Sequence, residues 1–171
     1  AYDTAEHNVV VTVSTKNENG KLVADVKYET DKLTITNTFT PAKQDLKVTK
    51  NYQGDAEWNN AKQFTFDLVG LSAKVSAEEN AEAIKGEDGQ PIAVPMPATH
   101  SITATKDNKT VSFGDINFAK PGVYTYLITE RDGHAEGVTY DTTPHKAVVT
   151  VTQDQNTNAL SASVEYEGDI A

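Results

Sequence analysis

The opening of the chain returns near its end: AYDTAEHNVVVTV at 1–13 is echoed by TYDTTPHKAVVTV at 139–151. At a constant offset of 138 positions, Tyr2, Asp3, Thr4, His7, Val10, Val11, Thr12 and Val13 recur as Tyr140, Asp141, Thr142, His145, Val148, Val149, Thr150 and Val151. The same offset carries Leu22, Ala24, Val26, Tyr28, Glu29 and Asp31 onto Leu160, Ala162, Val164, Tyr166, Glu167 and Asp169 without a gap. A self-similarity of domain length is what a tandem array of similar modules leaves behind. It predicts that residues 1–41 are the C-terminal strands of one module and that 42–171 are most of the next, lacking its last strand.

A chain of 171 residues, 37% hydrophobic, can bury the core of one ordinary domain plus a fragment; two full domains would be cramped. The formal charge of -10 argues against nucleic acid or an anionic lipid surface as partner, because those need clustered Lys and Arg. No apolar run approaches transmembrane length and no charged-then-apolar leader opens the sequence, so membrane insertion is not expected here and any signal or anchor is expected outside this segment. The absence of Cys excludes disulfides and thiolate metal sites, which suits either the cytosol or a secreted protein stabilised by other means.

Strand signals dominate. VVVTVST, KLVADVKY, LTITNTF, LKVTKNY, QFTFDLV, HSITAT, TVSFGDINF, GVYTYLITE, KAVVTVTQD and LSASVEYEG are alternating or β-branched, with ENG, NYQGD, KDNK, KPG and RDGH between them as turn chemistry. Many short strands with such spacing predict an all-β chain folded as an immunoglobulin-like sandwich. The exception is 72–98, SAKVSAEENAEAIKGEDGQPIAVPMPA, whose Ala and Glu allow a short helical insertion before Gly86, Gly89 and the prolines end it. It reads as a long decorated loop, either a ligand-contacting excursion or a solvated connection.

Side-chain parity brings out the chemistry. Successive residues of a strand face opposite sides, so Lys50 shares the inward face of Leu46 and Val48, and Asn37 shares that of Leu33, Ile35 and Phe39. In YTYLITE both faces are apolar enough to be inward, and Glu130, in phase with Tyr124, Tyr126 and Ile128, is the third inward candidate. Each of these groups would be expensive to bury alone. Burial disfavours the charged form of an amine and of a carboxyl group alike, which suits a neutral nucleophile and a protonated acid. The amine attacks the Asn carbonyl, the acid bonds that oxygen and shuttles protons, and ammonia leaves behind an isopeptide amide.

At LKVTKN (46–51), FAKPGVYTYLITE (118–130), GVTYDTTPHKAVVTV (from Gly137) and TITNTF (34–39), the sequence resembles the isopeptide-linked pilin domains of Gram-positive surface proteins, of the streptococcal major-pilin type. The resemblance covers nearly the whole chain. It implies a CnaB-like β-sandwich with Lys on the first strand, Asn on the last and a catalytic Glu in the opposing sheet. Carried over, Lys50 is the nucleophile and Glu130 the acid, while Asn37 matches the Asn motif of the preceding module.

EYEGDIA closes the segment where the repeat predicts the next TITNTF, so the Asn partner of Lys50 in its own module is expected to lie outside this segment. Asn37 is not expected to serve in cis. With first and last strands parallel and level, the connection would have to recross roughly 26 Å, and its five residue steps span only about 17 Å. The remaining options are an unbonded module, or Asn37 donated head to tail by another copy in the manner of donor-strand complementation.

Other candidates are weaker. His7 and His145 recur at one module position and favour a turn-holding role over metal ligation. Glu78, Glu79, Glu82, Glu87 and Asp88 lack the spacing of a calcium loop and read as a solvated charge run. Trp58 suits either a sugar face or the end of a sandwich. No cofactor is expected. The leading reading is a structural stalk module of a pilus or cell-wall-anchored protein, partnered by neighbouring modules and cross-linked in a single turnover rather than acting as an enzyme. Its rivals are an adhesive module binding a host protein or glycan through 72–98 and Trp58, and an accessory sandwich of a secreted carbohydrate-active enzyme.

Overall fold

Strands form where β-branched and aromatic residues alternate with polar ones, and between Thr40 and Ala171 their burial follows that alternation. The computed structural model describes residues 3–16, 21–28, 34–53, 57–59 and 61–167. Tyr2, the ENG turn, Glu29, Asp31, Leu33 and Asp169 lie outside the described residues. The chain divides into two units, Ala1–Phe39 and Thr40–Ala171.

In the first unit β1 (Val9–Lys16) pairs antiparallel with β2 (Lys21–Tyr28), Val11 opposite Val26. Thr34–Phe39, expected as a strand with an inward Ile35, Asn37 and Phe39, instead belongs to no strand and is exposed. An extended segment becomes a strand only when a neighbour supplies ladder bonds and a covering face, and Thr34–Phe39 is in none of the sheets formed by the described residues.

The second unit holds β3 (Ala42–Thr49), β4 (Phe64–Lys74), β5 (Ser101–Ala104), β6 (Thr110–Phe118), β7 (Gly122–Glu130), β8 (His145–Gln153) and β9 (Leu160–Glu167). Strands β3 and β6 make a two-stranded sheet, and β5-β4-β7-β8-β9 a five-stranded one, every pair antiparallel. Between them lie Leu46, Val48, Phe113, Ile116 and Phe118 from the small sheet, against Phe64, Phe66, Leu68, Tyr124, Tyr126, Ile128, Val149 and Val151 from the large one. Burying each large apolar side chain contributes about 1.5–3 kcal/mol, and the sum holds the sandwich. The all-β sandwich inferred from the strand spacing is thus the observed architecture, with no helix among the described residues.

Two features position the site. Phe113 and Gly114 of β6 together oppose Leu46 of β3, a bulge that needs Gly114 at φ 89° and is tied down by Asp45 Oδ1, which accepts from Ser112 and from the Gly114 N–H. Parity on β6 switches there, from Val111 and Phe113 inward to Ile116 and Phe118 inward, while β3 keeps Leu46, Val48 and Lys50 on the core side. Strand β7 is the centre of the large sheet, and the ambiguity of its two apolar faces is resolved with Tyr124, Tyr126, Ile128 and Glu130 buried.

The 72–98 segment departs from the expectation of a solvated connection. Its acidic residues are exposed, but Ile84 is buried, its N–H bonds to Ala73 O, and Ile92, Val94 and Met96 pack on the core. Tyr126 donates its hydroxyl to Pro95 O at 2.7 Å, and burial pushes that hydroxyl well above the ordinary tyrosine value. A Cβ at Gly70 would meet Val94, so the close approach of this loop to β4 depends on glycine. The loop is a lining of the sandwich rather than a solvated connection.

Candidate functional site

Lys50 follows β3 by one residue, and its backbone continues the ladder by donating to Lys109 O at 2.9 Å. Its side chain therefore keeps the inward phase of Leu46 and Val48 and is only 8% exposed. Glu130 ends β7 in the opposite sheet and is 3% exposed. Nζ of Lys50 lies 3.0 Å from Oε1 and 3.1 Å from Oε2 of Glu130, so the pair spans the sandwich from sheet to sheet. Only Oε2 receives the amine in hydrogen-bonding geometry; Oε1, equally close, is buried and accepts no hydrogen bond. Oε2 also accepts the backbone N–H of Asp141 at 2.8 Å.

Aromatic rings wall the pair. Nζ stands 4.7 Å above the Phe64 ring, a cation–π approach. Phe64 in turn touches Trp58, Tyr52 and Tyr140 at centroid distances of 5.3, 5.7 and 5.5 Å. Trp58, 7% exposed and donating Nε1–H to Lys62 O, is part of this wall; it is core, which removes the sugar-stacking role. Low polarity strengthens the attraction within the pair and raises the cost of either member left alone.

Asp141 is held by a small clasp. Its Oδ1 accepts the Thr143 N–H at 3.0 Å, and its Oδ2 lies 2.9 Å from His145 Nε2. The Thr143 backbone and hydroxyl, then His145, hold its carboxyl below the usual carboxylate value. The first unit repeats the arrangement, with Asp3 Oδ1 accepting the Ala5 N–H at 3.0 Å and Oδ2 lying 3.1 Å from His7 Nε2. Ala5 and His7 lower the Asp3 carboxyl in the same way. Both histidines thus hold turns, and among the described residues no group of three or more His, Cys, Asp or Glu could bind a metal ion.

Of the sequence-derived residues, Lys50 and Glu130 are brought together. Asn37 lies in the other unit, exposed, its Oδ1 accepting the Asp3 N–H at 3.2 Å. Sequence reasoning missed the Asp141 N–H and the cradle of Phe64, Tyr52 and Tyr140. The inward phase of Phe64 and Phe66 in QFTF was a usable signal for the cradle; a backbone donor leaves none.

The profile of one family, described as FctA: Spy0128-like isopeptide containing domain, matches residues 1–40 and 46–171. The chain belongs to the FctA family. FctA domains are pilin-type structural domains of cell-surface pili, where such domains link to neighbouring modules, and the all-β sandwich agrees with that membership. A comparison with curated proteins found no match.

Proposed function

We propose that residues 42–171 form a pilus stalk module whose Lys50 becomes joined to the Asn of a TITNTF strand by an isopeptide bond, with Glu130 as acid and base. Residues 1–41 are the closing part of the preceding module, and their Asn37 is donated to Lys50 of another copy. The observation that carries this reading is the buried Lys50–Glu130 pair bridging the two sheets with both carboxylate oxygens within 3.1 Å of Nζ. A surface ion pair would contribute little, and a buried one is weak as pure stabilisation, so a pair in this position points to chemistry.

The steps balance with no outside reagent. One proton passing from Nζ to Glu130 across 3.0 Å converts the ion pair into a neutral amine and a neutral acid. The amine forms the Nζ–Cγ bond to Asn while the acid bonds the carbonyl oxygen. Glu130 then takes the second amine proton as it delivers its own to the leaving Nδ2, the Cγ–Nδ2 bond breaks, and ammonia departs. Acceptance of the strand is favoured at β3, which among the described residues pairs only with β6, its Lys47 N–H being taken by the Tyr166 hydroxyl at 2.9 Å. The bond would join first and last strands covalently, so that force along the stalk cannot unzip them, giving the kinetic stability that disulfides give elsewhere.

The test is intact mass beside a denaturing gel on concentrated protein. Covalent oligomers losing one ammonia per bond, and absent from Lys50→Ala and Asn37→Ala, are expected. Unchanged monomer at every concentration, with or without added strand peptide, would overturn the reading.

A further inference from the structure

The two units present one main-chain donor to two different side chains. In the second, the Asp141 N–H meets Oε2 of Glu130 at 2.8 Å; in the first, the equivalent Asp3 N–H meets Oδ1 of Asn37 at 3.2 Å. The donors occupy one repeat position and are held by the same Asp–His clasp. Glu and Asn are two of the three groups of the proposed cross-linking reaction, and the third, Lys50 Nζ, is 3.1 Å from the same Oε2. An Asn strand seated against 141–145 as Thr34–Phe39 is seated against 3–7 would therefore deliver its Oδ1 to the Asp141 N–H, beside Glu130.

We infer that the backbone N–H of Asp141 is a fixed oxyanion donor for the isopeptide reaction, and that the Asp141 carboxylate and His145 are positioning groups that aim it. The inference rests on the proposed cross-linking of Lys50. When Nζ bonds to Cγ, the Asn oxygen gains charge, and a preorganised N–H stabilises it without reorganisation. Two oxygens around one N–H are close neighbours, an arrangement that is favourable when one carries a proton: neutral Glu130 donates its O–H to the Asn oxygen while the N–H donates from the main chain. As Cγ–Nδ2 breaks, the oxygen returns to an amide carbonyl bonded by the same donors. The donor's place is fixed at its preceding residue as well, since the Tyr140 ring packs on Phe64 and its hydroxyl lies where a side chain at Gly133 would stand.

The test uses the full chain with a saturating synthetic peptide, LTITNTF (33–39), following by intact mass the adduct that is one ammonia lighter than its parts. Asp141→Pro removes the N–H and is expected to slow adduct formation about 100-fold at saturating peptide, the loss typical of one oxyanion donor. The unreacted variant is expected to melt lower, because it also loses the clasp and a hydrogen bond to buried Glu130, so rates are compared at a temperature and peptide concentration at which every variant is folded and saturated. Asp141→Ala and His145→Ala keep the N–H but release the clasp, and are expected to slow the reaction about tenfold, with Asp141→Asn recovering most of what Asp141→Ala loses. A wild-type rate in Asp141→Pro overturns the inference; should that variant not fold, wild-type rates in Asp141→Ala and His145→Ala do so. An absence of adduct from the unaltered chain overturns the cross-linking reading itself, and the inference with it.

Discussion

The β1–β2 and β8–β9 pairs are similar sequence in two settings. Their ladders run in equivalent register, Val9 opposite Tyr28 and Val11 opposite Val26 in one, Ala147 opposite Tyr166 and Val149 opposite Val164 in the other. Their faces do not match. Val9, Val11 and Val13 are 43%, 57% and 59% exposed, whereas Ala147, Val149 and Val151 are 0%, 0% and 2% exposed. Cross-strand pairing is a local property of each hairpin, while burial is conferred by residues far away in sequence, here those of β3, β6 and β7. The clasps teach the same lesson. Asp3 with His7 and Asp141 with His145 close alike from local residues, but what each Asp N–H meets, Asn37 or Glu130, depends on which distant segment lies beside it.

The largest way to break the comparison is Glu130→Ala, because the first unit has no buried ion pair among its described residues and the second is built around one. It strands the Lys50 ammonium in the core and is expected to cost about 3–5 kcal/mol by denaturant unfolding, with β1–β2 amide exchange unchanged. Lys50→Met combined with Glu130→Leu should recover most of that loss while never cross-linking.

The next is a matched pair of substitutions at one repeat position. Val149→Ala opens a cavity in a filled core and is expected to lower stability by about 1.5–3 kcal/mol. Val11→Ala, exposed, should change it by less than about 0.5 kcal/mol. Equal effects would mean that the first unit's face is covered in solution. Covering that face with a partner should raise the Val11→Ala cost towards that of Val149→Ala, sharpening the contrast.

The smallest effect concerns the clasps. Both Asp3 and Asp141 carboxyls are lowered from 3.8, so the contribution of each clasp is present above that value and is lost as pH falls through the lower folded-state value. Carboxyl NMR titration should place both midpoints below 3.8, and His7→Ala and His145→Ala should each move their own Asp back towards it.

Much of this was legible because it is local. Alternation marked every strand of the second unit, and parity put Lys50 inward; for Glu130 it left two apolar faces open, and packing in the sandwich decides between them. The failures are the non-local ones. TITNTF has strand composition, but Thr34–Phe39 is not a strand, since a ladder needs a partner that composition does not name. The 72–98 loop looked solvated because its charges are dense, yet Ile84, Val94 and Met96 sit at intervals too irregular to show a face and still reach the core. The Asp141 N–H carries no side-chain signature at all. Only the comparison of two folded copies exposes it.

The most direct measurement is tandem mass spectrometry of proteolysed oligomer bands from the concentrated chain. The Lys50 peptide is expected joined to the Asn37 peptide, one ammonia lighter than their sum, with no linear Lys50 peptide in proportion to the bonds formed. Recovery of Lys50 wholly in its linear peptide from every band, or a bond at another lysine, would contradict the assignment of Lys50 and Glu130 as the reacting pair.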